Sequence, residues 1–259
     1  MSLDMDPDAK VLCYSGGLDC YCLDQLEDYD TYVFFKVGTE ESKYELELVR
    51  EHIAEEKLEV VDFHAVSQFE LEDATVPLRN VMFTFFAANY GNVIHLGETF
   101  ADRFDVKDSD EVAANLASTL LNHFNAYGQN MDTMPRDHSR YDVEFPVCDL
   151  TKGELLQRVV DETDETVESV LENTKSCHYG DAEQGCGKCE GCLRRATAAG
   201  YVLGSSERFA TVLDEEFRAN PFEYYETFDN TNIHRQIVRR GREYDQFNDV
   251  YGEWLSKSL

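Results

Sequence analysis

The chain has 259 residues, enough to bury a full core as one domain with an appendage. Acidic residues number 52 against 23 basic ones, a net charge of −29, and so acidic a surface disfavours sequence-independent binding to nucleic-acid phosphates. The most apolar stretch, Val81 to Leu96, is interrupted by Thr84, Asn89, Tyr90, Gly91 and Asn92, so no membrane span is expected. Met1 to Lys10 is acidic and polar and lacks the apolar centre of a secretory leader. A cytoplasmic location, with thiols kept reduced, is therefore expected.

In chain order, Lys10 to Tyr14 (KVLCY) reads as a short strand that stops at Ser15-Gly16-Gly17. Helix-permissive residues follow from Leu18 to Leu26, and Thr31 to Val37 (TYVFFKV) reads as a second strand. Leu46, Val49 and Ile53 recur at helical spacing and predict an amphipathic helix over Glu45 to Glu56. Val60 to Phe63 is a strand, Asn80 to Tyr90 a mostly buried helix, and Asn92 to Leu96 a buried strand closed by Gly97. Val112, Leu116, Leu120 and Phe124, with Ala113 and Ala117 beside them, mark a long helix. Thr151 can cap a helix starting at Lys152, with Glu154 at its third position. Strands alternating with helices predict an α/β fold, a parallel twisted sheet covered by helices on both faces. Gly204-Ser205-Ser206 is the candidate boundary. It separates a main domain, residues 1–204, from a helical extension, residues 205–259, which carries Trp254.

Two clusters carry chemistry. Ser15-Gly16-Gly17-Leu18-Asp19 ends a strand and opens a helix, which aims free N–H groups and the positive end of the helix dipole at an anion. The glycines remove side chains where phosphate oxygens must approach, and Ser15 can donate a hydroxyl hydrogen. Asp19 next to a phosphate implies an intervening cation such as Mg2+. No Walker-type G-x-x-x-x-G-K-[ST] occurs. Toward the other end, Cys177, Cys186, Cys189 and Cys192 form C-x8-C-x2-C-x2-C, a ligand set for one closed, structural Zn2+ site. Eight cysteines would also allow disulfides, but a reducing compartment favours metal. Cys13, Cys22 and Cys148 sit among apolar residues and read as core side chains.

SGGLD resembles the SGGxDS loop of the N-type ATP pyrophosphatases, which have a Rossmann-like fold, adenylate a substrate and release pyrophosphate. Within that superfamily the cysteine cluster and the arginine after it are similar to those of the 7-cyano-7-deazaguanine synthases, the QueC family. Four segments in order strengthen the likeness: FFKVG ending at Gly38, TVPLRNVMF with Arg79 and Asn80, GETFADRFD with Glu98 and Asp102, and Pro146 with Lys152-Gly153-Glu154. The resemblance spans residues 9–203 or thereabouts. It implies ATP-dependent conversion of 7-carboxy-7-deazaguanine and ammonia to the nitrile through an adenylate. AMP and pyrophosphate, or ADP and phosphate, would be released. It also implies Mg2+ with ATP and a homodimer. Residue by residue, Ser15, Gly16, Gly17, Leu18, Asp19, Cys20, Arg79 and Asn80 would meet the nucleotide. Ser15, Asp19 and Lys152 would serve the chemistry, and Gly38, Glu98 and Asp102 the substrate.

Two positions depart from the family pattern. Cys20 stands where the loop has a second serine, and a thiol there is either a tolerated replacement or, at a helix N-terminus, an activated group. Thr39-Glu40-Glu41 replaces a segment that is Gln, Arg and His in the family. These changes keep two further readings open: a diverged ligase that transfers the deazaguanine acid to another amine, and a zinc-stabilised binding protein without catalysis.

Overall fold

β-Branched and aromatic residues drive the strands. They form β1 (Lys10–Cys13), β2 (Thr31–Lys36), β3 (Leu58–Asp62), β4 (Val93–Leu96) and β5 (Asp142–Glu144). The helices are α1 (Leu18–Leu26), α2 (Glu41–His52), α3 (Arg79–Ala87), α4 (Glu111–Gln129), α5 (Lys152–Glu162), α6 (Val167–Glu172), α7 (Glu190–Leu203) and α8 (Arg242–Ser258). This computed structural model describes residues 8–38, 41–69, 76, 78–102, 108–129, 140–177, 187, 189–204 and 242–258. Cys186, Thr39, Glu40 and Trp254's side chain lie outside what is described.

All pairings in the five-stranded sheet are parallel, in the order β3-β2-β1-β4-β5. The expected α/β, Rossmann-like fold is thus present. Residues alternate across the sheet, as strands buried on both faces require. Leu12 and Tyr14 pack with Leu18, Leu23, Leu155 and Val159 on one side. Val11 and Cys13 pack with Ile94, Leu96, Ala114, Ala117 and Leu121 on the other. Cys13, Cys22 and Cys148 are buried, as their neighbours suggested.

Several boundaries differ from expectation. The helix read over Glu45 to Glu56 runs Glu41–His52, and a short 3-10 turn at Glu55–Lys57 leads into β3. The helix read as mostly buried is α3, which buries Asn80, Thr84 and Ala87 while Phe86 is exposed. β5 has three residues, too few to leave a periodic signal. Thr151 caps α5 in a full capping box: its Oγ1 accepts from the Glu154 amide at 3.1 Å, and Glu154 Oε2 accepts from the Thr151 amide at 2.8 Å.

The strand order reverses between β1 and β4, and in open parallel sheets the carboxyl ends of the strands at such a reversal border the ligand crevice. Gly97, just after β4, touches the start of α1. An added Cβ would stand 2.9 Å from the Cys20 sulfur and 3.0 Å from its amide nitrogen. Gly97→Ala is therefore expected to destabilise the fold by about 1–3 kcal/mol. Thermal melts test this, and an unchanged midpoint would mean that strand end and helix part freely.

Candidate functional site at the sheet switch point

β1 delivers Ser15, Gly16 and Gly17 to the crevice. Gly16 has φ +76°, a left-handed conformation that favours glycine. Ser15 is exposed, and its Oγ accepts from the Gly17 amide at 3.3 Å, which curls the loop. Gly17 caps α1 without any side-chain hydrogen bond, so the helix's first amides point into the loop. Leu18 is buried in the core and can offer only its backbone. The Lys175 amide donates to the Gly16 carbonyl at 3.1 Å, tying the segment after α6 to the loop. Its Nζ lies 5.1 Å from the centre of the Tyr44 ring.

Asp19 and Lys152 are the heart of the site. They are 133 positions apart, are both buried, and form a direct ion pair. Burial pushes the Asp19 carboxyl up and Asp102 adds to this, against the pull of Lys152. Burial would lower Lys152, but Asp19 outweighs it and the ammonium is held charged. The second Asp19 oxygen, Oδ1, is buried without a hydrogen-bond partner among the described residues.

The turn after β4 supplies Glu98 and Asp102. Asp102 Oδ2 accepts from the Thr99 amide at 2.8 Å and hydroxyl at 2.6 Å, while Oδ1 accepts from Arg194 at 2.7 Å. Burial alone would raise Asp102, yet Arg194 and Lys152 hold it well below the ordinary carboxylate range. Glu98 behaves oppositely. Loss of hydration raises it from 4.5 to about 8, with repulsion from Asp102 and Asp19 added and Arg79 and Lys152 opposing. Asn80 donates to Glu98 at 2.9 Å and to Ser109 at 2.8 Å, while its own amide nitrogen is held by Asp108 at 2.9 Å. Asn80 thus acts here by orienting Glu98. Arg79 is half-buried, with its guanidinium 5.8 Å from the Phe83 ring centre. Leu78, just before it, has φ +60°, a strained conformation for a leucine that aims the start of α3.

Gly38 and Cys20 have clear local surroundings. Gly38 lies in the turn just after β2 at φ +89° and packs on His64, where an added Cβ would meet the ring at 2.8 Å. Cys20 is buried, 3.4 Å from the Cys13 carbonyl and 3.6 Å from Ser15 Oγ. Burial pushes its thiol up to about 11, so the helix N-terminus does not activate it. Cys20 is a packed thiol beside the loop.

At the metal cluster, the sulfurs of Cys177, Cys189 and Cys192 all lie within 4.8 Å of one another. Zn–S bonds of about 2.3 Å would place tetrahedral sulfurs roughly 3.8 Å apart, so these three fit one ion. Cys189 caps α7, and its sulfur accepts from the Cys192 amide at 3.5 Å. The cluster could hold a metal ion.

Sequence reasoning missed Thr99, Lys175, Asp108 and Glu243. Only Arg194 carried a signal, as an arginine close behind the last cysteine.

A model of the family described as queuosine biosynthesis protein QueC matches residues 35–202. The chain belongs to that family. A curated relative, the 7-cyano-7-deazaguanine synthase of Buchnera aphidicola subsp. Schizaphis graminum (strain Sg), is 25% identical over 170 residues. That alignment covers 64% of this chain and 67% of the relative. In this QueC member, Lys152, Arg79, Glu98, Asp102 and the cysteines fall inside the family match, whereas the SGGLD loop and α8 lie outside it. No described helix is long and apolar enough to cross a membrane.

Glu98 has a measurable signature. The folded protein keeps a proton on it that the unfolded chain has released. Its stabilising contribution is therefore complete below about pH 4.5 and lost as pH rises through about 8. Glu98→Gln keeps an acceptor for Asn80 and removes the titration. Denaturant melts are expected to show a shallower loss of stability over that range in the variant, and parallel slopes would mean that Glu98 ionises normally.

Proposed function

We propose that this chain is a 7-cyano-7-deazaguanine synthase. It would convert 7-carboxy-7-deazaguanine and ammonia to the nitrile with ATP, through an adenylated intermediate, releasing AMP and pyrophosphate. The observation that carries this reading is the Asp19–Lys152 pair, which joins the SGGLD loop to α5 beside Glu98 and Asp102 in a QueC chain.

A carboxylate resists ammonia until one oxygen becomes a leaving group. Attack of a carboxylate oxygen on the α-phosphorus of ATP supplies that group and expels pyrophosphate; ammonia then adds to the carbonyl carbon, loses a proton and displaces AMP, giving the amide. A second ATP activates the amide oxygen in the same way, and loss of both protons from nitrogen with departure of the activated oxygen as AMP gives the nitrile. The protein's part is positioning and charge stabilisation. Ser15 Oγ and the amides of Gly16, Gly17, Leu18, Asp19 and Cys20 would cradle the phosphates. Lys152 would neutralise charge as pyrophosphate departs, and Arg79 would face the nucleotide. Asp19, the carboxylate of the loop, would help hold the Mg2+ that comes with ATP, and that ion would supply charge neutralisation at the phosphates. Asp102, ionised, would offer an acceptor and Glu98, protonated, both a donor and an acceptor to the polar edge of a guanine-like ring. The sulfurs of Cys177, Cys189 and Cys192, with Cys186 as fourth ligand, would hold a structural Zn2+ that anchors α7.

The deciding experiment is mass spectrometry of a reaction containing 7-carboxy-7-deazaguanine, Mg-ATP and ammonium, at low and at molar salt. The expected products are the nitrile, AMP and pyrophosphate. An adenylate or amide that goes no further would replace this reading with a diverged ligase; no acid-dependent use of ATP at all would leave a binding protein. Elemental analysis is expected to return about one zinc per chain. Cys189→Ser should lower that content and the melting temperature, and a metal-free protein of full stability would remove the zinc assignment.

A further inference from the structure

The α8 helix lies beyond the segment that matches the QueC family, yet it reaches the crevice. Its Glu243, Gln246, Phe247 and Val250 are buried and recur at helical spacing, which makes one inward face. Arg242 donates to the Asp149 carbonyl at 2.9 Å and pairs with Glu154, both at the start of α5. The same guanidinium sits 5.5 Å from the centre of the Phe100 ring, in the turn after β4. The first turn of α8 thus touches both walls of the site.

We propose that Glu243 is a positioning residue of this site: by fixing Arg194 it holds Asp102 and the turn Gly97 to Asp102 in the shape that receives the deazaguanine acid. The identity of that ligand rests on the function proposed above; the bracing of the turn does not.

The geometry carries the argument. Glu243 takes Arg194 in a two-point grip, Nε to Oε1 at 2.7 Å and Nη2 to Oε2 at 3.3 Å. A guanidinium is planar with fixed donor directions, so this grip leaves Nη1 a single orientation, toward Asp102 Oδ1 at 2.7 Å. Nη2 also donates to Thr99 Oγ1 at 3.1 Å. Because Arg194 spends only one nitrogen on Asp102, the other Asp102 oxygen stays available for the Thr99 amide and hydroxyl. Those two bonds close the turn that presents Glu98. Without Glu243, Arg194 is free to turn its two-pronged edge onto Asp102 and compete with Thr99 for Oδ2. Thr99 is fully buried and Glu243 is 6% exposed, so no water replaces these partners cheaply.

The test compares wild type, Glu243→Gln and Glu243→Asp, with Asn248→Ala on the exposed side of α8 as a control. Glu243→Gln retains shape but turns an N–H2 group toward Nη2 and breaks the grip. It is expected to raise KM for 7-carboxy-7-deazaguanine by roughly tenfold to a hundredfold, with KM for ATP at its wild-type value, while the melting temperature falls because a buried guanidinium loses a charged partner. Glu243→Asp, which keeps the charge, should recover part of the loss. Hydrogen exchange at the Thr99 amide, read on the same proteins without ligand, should be faster in Glu243→Gln and unchanged in Asn248→Ala. Unchanged Thr99 exchange, or equal damage to both KM values, would overturn the proposal in favour of a plain helix anchor. If wild type does not act on the acid, the functional reading fails, and Thr99 exchange alone decides whether Glu243 braces the turn.

Discussion

The contact between the end of β4 and the start of α1 is what the site depends on. β1 and β4 are neighbours in register, so the chain leaving each strand emerges at the same edge of the sheet. The phosphate-type loop leaves β1 there, and the carboxylate-bearing turn leaves β4. They can approach closely because Gly97 has no side chain to hold Cys20 away. From this contact follow the nearness of Glu98 to Asp19, the exclusion of water that shifts both groups, and the burial that silences the Cys20 thiol.

Charge inside the site is managed quite differently from charge on the surface. The chain as a whole is strongly acidic, and most of its carboxylates can rely on hydration and screening. In the crevice, Asp19, Asp102 and Glu243 each face a cation, either Lys152 or Arg194. Such pairs contribute little net stability once desolvation is counted, but breaking one leaves an uncompensated buried charge. The geometry is therefore strongly enforced. Glu98 has only the more distant help of Arg79 and Lys152, and a proton settles there instead. An ionised and a neutral carboxyl side by side is an arrangement that active sites use to divide roles.

Parts of this architecture were readable beforehand because they depend on neighbours in the chain. β1, α1 and β2, the Thr151 capping box, and the C-x2-C spacing that makes Cys189 a helix cap all arise within a few residues. The periodicity around α4 found the helix without indicating its buried side. Val112, Leu116, Leu120 and Phe124 are exposed, while Ala113, Ala114, Ala117 and Leu121 pack inward. Small residues face the sheet there because the backbone approaches it closely, a distance that no helical pattern encodes. Asn80 and Arg79 were found through a motif, but the turning of Asn80 onto Glu98, Ser109 and Asp108 was not visible in it.

By itself the sequence determined the kind of fold, the place of the SGGLD loop between β1 and α1, a cysteine cluster near the other end and the family, since each is a matter of local pattern or ordered motif. The tertiary structure alone decided which charges meet. Asp19 finds Lys152 across 133 positions, and Arg194 finds Asp102 and Glu243 across 92 and 49. Glu243 is one acidic residue among 52, with nothing in its neighbourhood to mark it. Its place is set by how α8 seats its apolar face, and burial then turns an ordinary carboxylate into a fixed partner for a guanidinium. Desolvation of this kind is a property of the assembled walls and has no counterpart in the linear chain.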